Sequence, residues 1–379
     1  MMSKAARAQA EEADLRSRLD HLTLSRKEGF GRLAEAPRRK RPEHLSRRQL
    51  KKLGEKALAE YNRCRRKWHA NLGPLGTAQM KALHEDLWDI FDSNDQDSDK
   101  VKGGIALDAF PGLGKTTAVL AFAKKVHRQI IEEEGKYTEE GHERWPVCRV
   151  GLTSNTGMRD FNRAILEYYG HPGRFRGTAS EFGYRALDSV LSAETKLLIV
   201  DDLHFLKWQN KNGIEVSNHF KYIANEFPVT LLMIGVGLEK RGLFSEGSSY
   251  EDAILAQTGR RTTRLDMDPF TISCAKQRTH WRDALLAIEE RVVLADKFPG
   301  MIADELSDYL FARSTGHIGS LMTLINRGCQ RAVRAGAERL DQKLLDQVKN
   351  DAASEQARQE LQHAFDTGRL VSRPGKEAS

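Results

Sequence analysis

One stretch narrows the possible folds more than any other. Ile105-Ala-Leu-Asp-Ala-Phe-Pro-Gly-Leu-Gly-Lys-Thr-Thr117 joins a short apolar run to a helical one through a turn holding two glycines. A triphosphate needs many hydrogen-bond donors around it without steric crowding. Glycines let the backbone wrap closely, so successive N–H groups point inward, and a helix starting at the turn adds its positive pole. Pro111, Gly112, Leu113, Gly114, Lys115, Thr116 and Thr117 form this cradle. Lys115 would contact the β- and γ-phosphates of ATP, and Thr116 would hold Mg²⁺ through its hydroxyl. The usual pattern opens with Gly where this chain has Ala109, one methyl larger.

From Gly104 onward, apolar runs alternate with helical stretches, the pattern of a parallel α/β sheet. Strands are expected at Ile105–Ala109, Val147–Leu152, Leu197–Asp201, Val229–Gly235 and Thr263–Met267. The helix from Lys115 puts Val119, Phe122, Ala123, Val126 and Ile130 on one face, and a charged insert from Glu132 to Arg144 lies at the surface. The third strand ends in Asp201-Asp202-Leu-His204. Ligands bind at the carboxyl ends of strands in open α/β sheets, which places both acids beside the cradle. Asp201 would then position Mg²⁺ and Asp202 would polarise the attacking water. His204 lacks a second ligand at suitable spacing and reads as a packing residue.

Charge is unevenly spread. The net charge is +7, yet residues 1–70 hold 20 Lys and Arg against 9 Asp and Glu, so the remainder is net acidic. Such a basic region favours polyanions by releasing condensed counterions. Residues 1–36 read as a charged helix, followed by a basic connector over 37–58. The acidic run Asp92–Asp99 lacks the Gly and the terminal Glu of a calcium loop and reads as a linker. Beyond Pro269 the strand signals stop and amphipathic helices follow, one through Trp281, Leu285 and Ile288, another through Leu321, Leu324 and Ile325. Cys64, Cys148, Cys274 and Cys329 form no C-x-x-C pair, so reduced, mostly packed thiols are expected. The N-terminus has no apolar leader and no run suits a membrane span, which points to a cytoplasmic protein without membrane partners.

These motifs resemble those of AAA+ P-loop NTPases. The fold class expected is therefore α/β, with a parallel five-stranded sheet, a small all-helical lid and a basic helical N-terminal extension. The boundaries expected are 1–75 for the extension, 76–270 for the nucleotide-binding domain, 271–350 for the lid and 351–379 for a polar, disordered tail. AAA+ proteins usually carry Glu where this chain has Asp202, which suggests slow or assembly-dependent hydrolysis. Their active sites also take an arginine from the next subunit. Arg260 and Arg261, just before the fifth strand, are the candidates. A γ-phosphate sensor is missing from Met233-Ile-Gly-Val-Gly237, and the lid offers only Arg313 nearby.

A narrower likeness covers about Arg63 to Asp341. Asp201-Asp202-Leu-His204-Phe-Leu, the fourth strand running into Gly235, and Thr315-Gly-His-Ile-Gly-Ser-Leu321 followed by Arg334-Ala-Gly-Ala-Glu-Arg-Leu340 resemble the TniB/TnsC family of transposition ATPases. Ala109, Asp202 and Val236 depart from its pattern. The resemblance implies a homo-oligomeric regulator that assembles on double-stranded DNA with ATP and recruits a DDE transposase. It implies backbone contacts to DNA from the segment after the second strand, here Thr156, Arg159 and Arg163, with Arg174 and Arg176 as weaker candidates. Two other readings share the AAA+ core: a nucleotide-gated signalling or defence NTPase, and a helicase loader or initiator.

Overall fold

Each strand expected from the apolar runs forms, within one residue at either end. The computed structural model describes residues 22–96, 102–152, 156–203, 220, 222–239 and 261–374. The strands β1 (Gly104–Ala109), β2 (Val147–Gly151), β3 (Leu197–Asp201), β4 (Thr230–Gly235) and β5 (Thr262–Met267) make one sheet in the order β2-β3-β4-β1-β5. All four pairings are parallel. Every residue of β1, β3 and β4 is buried, which is why these strands read as mainly apolar runs rather than alternating ones. The edge strand β5 is largely open to solvent.

The chain divides into two compact units. One comprises residues up to Pro37, Leu83–Pro111 and Lys115–Met267; the other comprises Arg38–Ala82, Gly112–Gly114 and the chain from Asp268 onward. In the sheet unit, α1 (Lys27–Glu35) sets Phe30 edge-on against His127, with ring centroids 5.6 Å apart. His127 belongs to α5 (Lys115–Glu134), which follows α2 (Arg47–Lys52), α3 (Glu55–His69) and α4 (Ala78–Ser93) in the chain. The buried face of α5 is Ala118, Val119, Phe122, Ala123, Val126, His127 and Ile130, which contains every residue its periodicity picked out. Two more helices, α6 (Met158–Tyr169) and α7 (Ala179–Ser192), connect β2 to β3. The insert after α5 is not wholly at the surface. Arg144 is buried and donates to Glu194 and to the carbonyls of Gly135 and Tyr137.

The helical unit contains α8 (Ala275–Arg291), a π-turn (Met301–Glu305), α9 (Ser307–Ser314), α10 (Ile318–Arg334), α11 (Gln342–Leu345) and α12 (Ala352–Asp366). Its core gathers Trp281, Leu285, Ile288, Leu310, Leu321, Leu324 and Ile325.

Three expectations need correction. The N-terminal extension is not a region of its own: it divides at Pro37, and residues from Arg38 join the helical unit. A capping box between Ser46 and Gln49 starts α2, and α3 docks through Trp68 Nε1 to Arg291 O at 2.7 Å and Val293 N–H to His69 Nε2 at 3.0 Å. The stretch 352–366, expected as disordered tail, is helix α12. Asp351 caps it, Arg358 pairs with Asp346, and Phe365 meets Phe311 at 6.0 Å. Its polar composition hid these few anchors. Cys148 and Cys329 are buried thiols, whereas Cys64 and Cys274 are exposed. Among the described residues no helix is long and apolar enough to cross a membrane.

Candidate nucleotide site

The site is built at the carboxyl edge of the sheet. Ala109 is the last residue of β1, paired in register with Met267. Its backbone is still extended strand, so the missing glycine has no conformational consequence here. The two glycines that remain are the ones the turn requires: Gly112 has φ +80° and Gly114 φ +83°, a region side-chain-bearing residues rarely adopt. Leu113 between them is buried, while Pro111, Thr116 and Thr117 are exposed.

Lys115, the first residue of α5, folds its side chain back toward the strand end. Its Nζ donates to Ala109 O at 2.6 Å and to Phe110 O at 2.9 Å. Burial lowers its pKa from the ordinary lysine value, while Asp108, Asp201 and Asp202 pull in the opposite direction. Three carboxylates therefore act on this ammonium, and none forms an ion pair with it.

Asp201 is buried and already organised. Its Oδ2 accepts from Arg149 Nη2 of β2 at 2.7 Å, and its Oδ1 accepts from the Asp202 N–H at 3.0 Å. Each oxygen keeps a further lone pair. Asp202 has φ +65°, the left-handed region that costs a side-chain-bearing residue about 1 kcal/mol. Hydroxyl and carboxylate donors of this kind, Thr116 with Asp201, match the oxygen preference of Mg²⁺. Among the described residues no three His, Cys, Asp or Glu side chains converge to hold a metal alone. Mg²⁺ generally keeps waters and takes phosphate oxygens, so it suits a site completed by nucleotide.

Two residues escaped the sequence reading. Arg149 is a cation inside the apolar strand Val-Cys-Arg-Val, and that interruption was its only signal. Asp108 is an acid inside β1, and it accepts from the N–H of Gly237 at 2.7 Å and of Glu239 at 3.3 Å. The loop after β4, whose first residues Val236, Gly237 and Leu238 have no polar side chain, is thus held by a carboxylate from the neighbouring strand.

The remaining candidates fare differently. Arg261 precedes β5, where its carbonyl accepts from the Gly104 N–H at 2.8 Å and its guanidinium donates to Asn225 at 2.9 Å. This is the amino edge of the sheet, about 20 Å of strand from Lys115 by the usual rise per residue. Arg261 cannot reach the Lys115 turn of its own chain. Arg260 and His204 lie outside the described residues, as do residues 97–99 of the acidic run. Arg313 is no sensor: it is buried at 1% exposure and donates to Tyr309, Val348 O and Glu355. Within the helical unit, Gly319 N–H donates to Gly112 O at 2.8 Å, and a Cβ at 319 would stand 2.7 Å from that oxygen. Backbone alone fits there.

Thr156 is buried at 6% exposure, which removes its hydroxyl from an open surface. Arg159 is exposed, donates to Gly177 O at 3.3 Å and lies over the Phe182 ring. Arg163 stands between Asp160 and Glu167, at 3.5 and 3.8 Å. Arg174 is spent on the carbonyls of Gly170 and His171, and Arg176 is exposed.

Comparison with known proteins agrees with this architecture. Residues 98–244 match a family described as an AAA domain. No curated protein matches the chain. Among solved structures, the Orc1 protein of Aeropyrum pernix in complex with DNA superposes with a TM-score of 0.52 at 16% identity, over 81% of this chain and 72% of that one. Cdc6p from Pyrobaculum aerophilum gives 0.48 at 13% identity, over 69% and 64%. The chain has the AAA+ P-loop fold, its five parallel strands in one sheet and its Lys115 turn at their carboxyl edge.

Proposed function

We propose that this chain binds ATP with Mg²⁺ and hydrolyses it slowly, within an oligomer assembled on double-stranded DNA. The observation that carries the reading is Lys115. Among the described residues its charge meets two carbonyl dipoles and no ion pair, so phosphate oxygens can replace those carbonyls at little cost. The N–H groups of the Gly112–Thr117 turn would receive the phosphates, and Thr116 with Asp201 would hold Mg²⁺. When bound, that ion would neutralise charge building on the transferred phosphoryl group. Asp202, held one residue past the strand, would orient and polarise the attacking water. Arg261 or Arg260 would act on a neighbouring subunit's site. Calorimetric titration of folded protein with ATP and Mg²⁺ tests the core of this reading, and a flat titration removes it.

The Asp201-Asp202-Leu-His204 sequence and the Thr315–Leu321 phrase support a regulator of DNA transposition that recruits a DDE transposase, with Arg159 and Arg163 touching the DNA backbone. Such a protein should form ATP-dependent assemblies on duplex DNA with little sequence preference. A gel shift at low salt showing none would end it. The likeness to an Orc1 protein bound to DNA favours a second reading, an initiator or helicase loader. Parallel pull-downs separate the two: a transposase retained with ATP supports the first, and a replicative helicase retained instead supports the second.

A further inference from the structure

We infer that the helical unit carries a duplex-DNA backbone surface formed by α3 and α10. This rests on the DNA-binding part of the proposed function and names where that binding is concentrated.

The geometry begins with how α3 is held. Arg65 makes a bidentate ion pair with Glu338, at 2.6 and 2.8 Å, and both side chains are buried. Gln330 Nε2 of α10 donates to the carbonyl of Arg66 at 2.9 Å. These contacts fix the last turns of α3 alongside α10, so the basic segment is a rigid part of the unit.

What the last turn of α3 and α10 then present is one sign of charge; the acids of α3, Glu55 and Glu60, lie in its earlier turns, Glu60 paired with Arg63. From Ile318 to Arg334, α10 contains no acid, and Arg327, Gln330, Arg331 and Arg334 fall on one helical face beside Arg66. Arg327 donates to Lys349 O at 2.7 Å and Arg331 to the Gln347 amide at 2.7 Å. These partners are neutral, so they aim the guanidinium groups without cancelling their charge. Among the described residues, no carboxylate pairs with Arg66 or Arg334. One cation would satisfy each helix's negative pole; the stripe holds more. From Arg327 to Arg334 it spans about 10 Å, the rise of about three base pairs.

The same surface lacks what other polyanions need. Single strands are gripped by stacking aromatics, and membranes by inserted apolar side chains. Among the described residues, large exposed hydrophobic side chains such as Phe110, Phe175 and Tyr184 lie in the sheet unit and Val371 in the helical unit, and none lies on α3 or α10. A regular duplex backbone requires only placed positive charge.

The test is a double charge reversal, Arg66→Glu with Arg334→Glu, compared with the Lys/Lys double variant. Binding of a fluorescent 30-base-pair duplex is measured by anisotropy over a salt series with ATP, alongside ATP calorimetry. The Glu/Glu protein should bind ATP normally, lose about tenfold or more in duplex affinity at moderate salt, and show a salt slope shallower by about 2. The Lys/Lys protein should retain affinity. Wild-type affinity and slope in the Glu/Glu protein would overturn the inference while leaving DNA binding intact. A wild-type protein that ignores duplex would end both this inference and the DNA reading. Stronger binding to single strands, or to phosphatidylserine vesicles, would reassign the surface and overturn it too.

Discussion

The core of the helical unit and the Lys115 turn of the sheet unit hold charge in opposite ways. Among the described residues of the helical unit the large buried ions are all but saturated, only the Nε of Arg65 and of Arg313 lacking a partner: Arg65 pairs with Glu338, Arg313 with Glu355 and three oxygen acceptors, and Glu289 accepts from the N–H groups of Gly300, Ile302 and Ala303. At the Lys115 turn of the sheet unit, among the described residues, the ammonium meets two carbonyls, and the three carboxylates that act on it make no ion pair with it. A saturated buried ion belongs to packing, and its loss is felt as unfolding. An under-partnered one is held ready for a ligand, and its loss is felt as lost chemistry. The contrast makes opposite demands on stability and on binding, so each unit can be tested against the other.

The largest effect expected is Glu338→Ala. It strands Arg65 in the core, and breaking a buried pair in this way costs about 3–5 kcal/mol. Urea melts should show the midpoint falling steeply, while ATP affinity of the protein still folded stays near wild type. A melt unchanged within about 0.5 kcal/mol would show that the pair contributes little and that the contrast fails on its structural side.

Nearly as large is a pH effect centred on His69. Burial first, and the Arg65 charge second, push its pKa from 6.5 to about 4, so the folded protein holds it neutral with Nε2 accepting from Val293 N–H. The unfolded chain binds a proton there more readily. Stability is therefore complete above about pH 6.5 and is lost as pH falls toward 4, by up to about 3 kcal/mol. Melts at pH 7.5 and pH 5 should differ, and His69→Gln should flatten much of that difference. Equal slopes in the two proteins would place the titration elsewhere, with His84 and His127 of the sheet unit next in line.

Lys115→Ala reverses the pattern. ATP affinity should fall about 100-fold, equivalent to about 2.7 kcal/mol, with little change in melting, because the side chain gives up only two exchangeable carbonyl contacts. Calorimetry and a melt on the same sample measure both. A variant that unfolds would class Lys115 with the saturated ions.

This division also explains what the sequence could tell. The strands and the Lys115 turn were legible because their signals are local: mainly apolar runs, and glycines next to Lys-Thr. Asp108 and Arg149 were not, because a polar residue inside an apolar strand acquires meaning only through its partner. For Arg149 that partner, Asp201, is 52 residues away. For α3 the distance is greater still, since Arg65 and Glu338 are 273 residues apart. A basic run looks like a solvated arm until the carboxylate that anchors it is known. Thr156 shows the complementary limit, as spacing after a strand cannot show that the residue is buried.

The smallest effect is the sharpest. Asp202 sits at φ +65°, where glycine carries no steric penalty. Asp202→Gly should hold stability level or raise it by about 0.5 kcal/mol, the strain relief partly offset by glycine's greater freedom in the unfolded chain. Asp202→Val places a β-branched side chain in the same backbone and should destabilise by more than about 1 kcal/mol. Both should still bind ATP through Lys115 yet lose most turnover, since neither can polarise water. Melts and phosphate-release assays on the pair separate the two roles. Turnover surviving in the glycine protein would mean that the strain is a by-product of the strand's end. Turnover lost from a protein as stable as the wild type would mean that Asp202 is kept in a costly conformation for its chemistry, in contrast to the saturated ions of the helical unit.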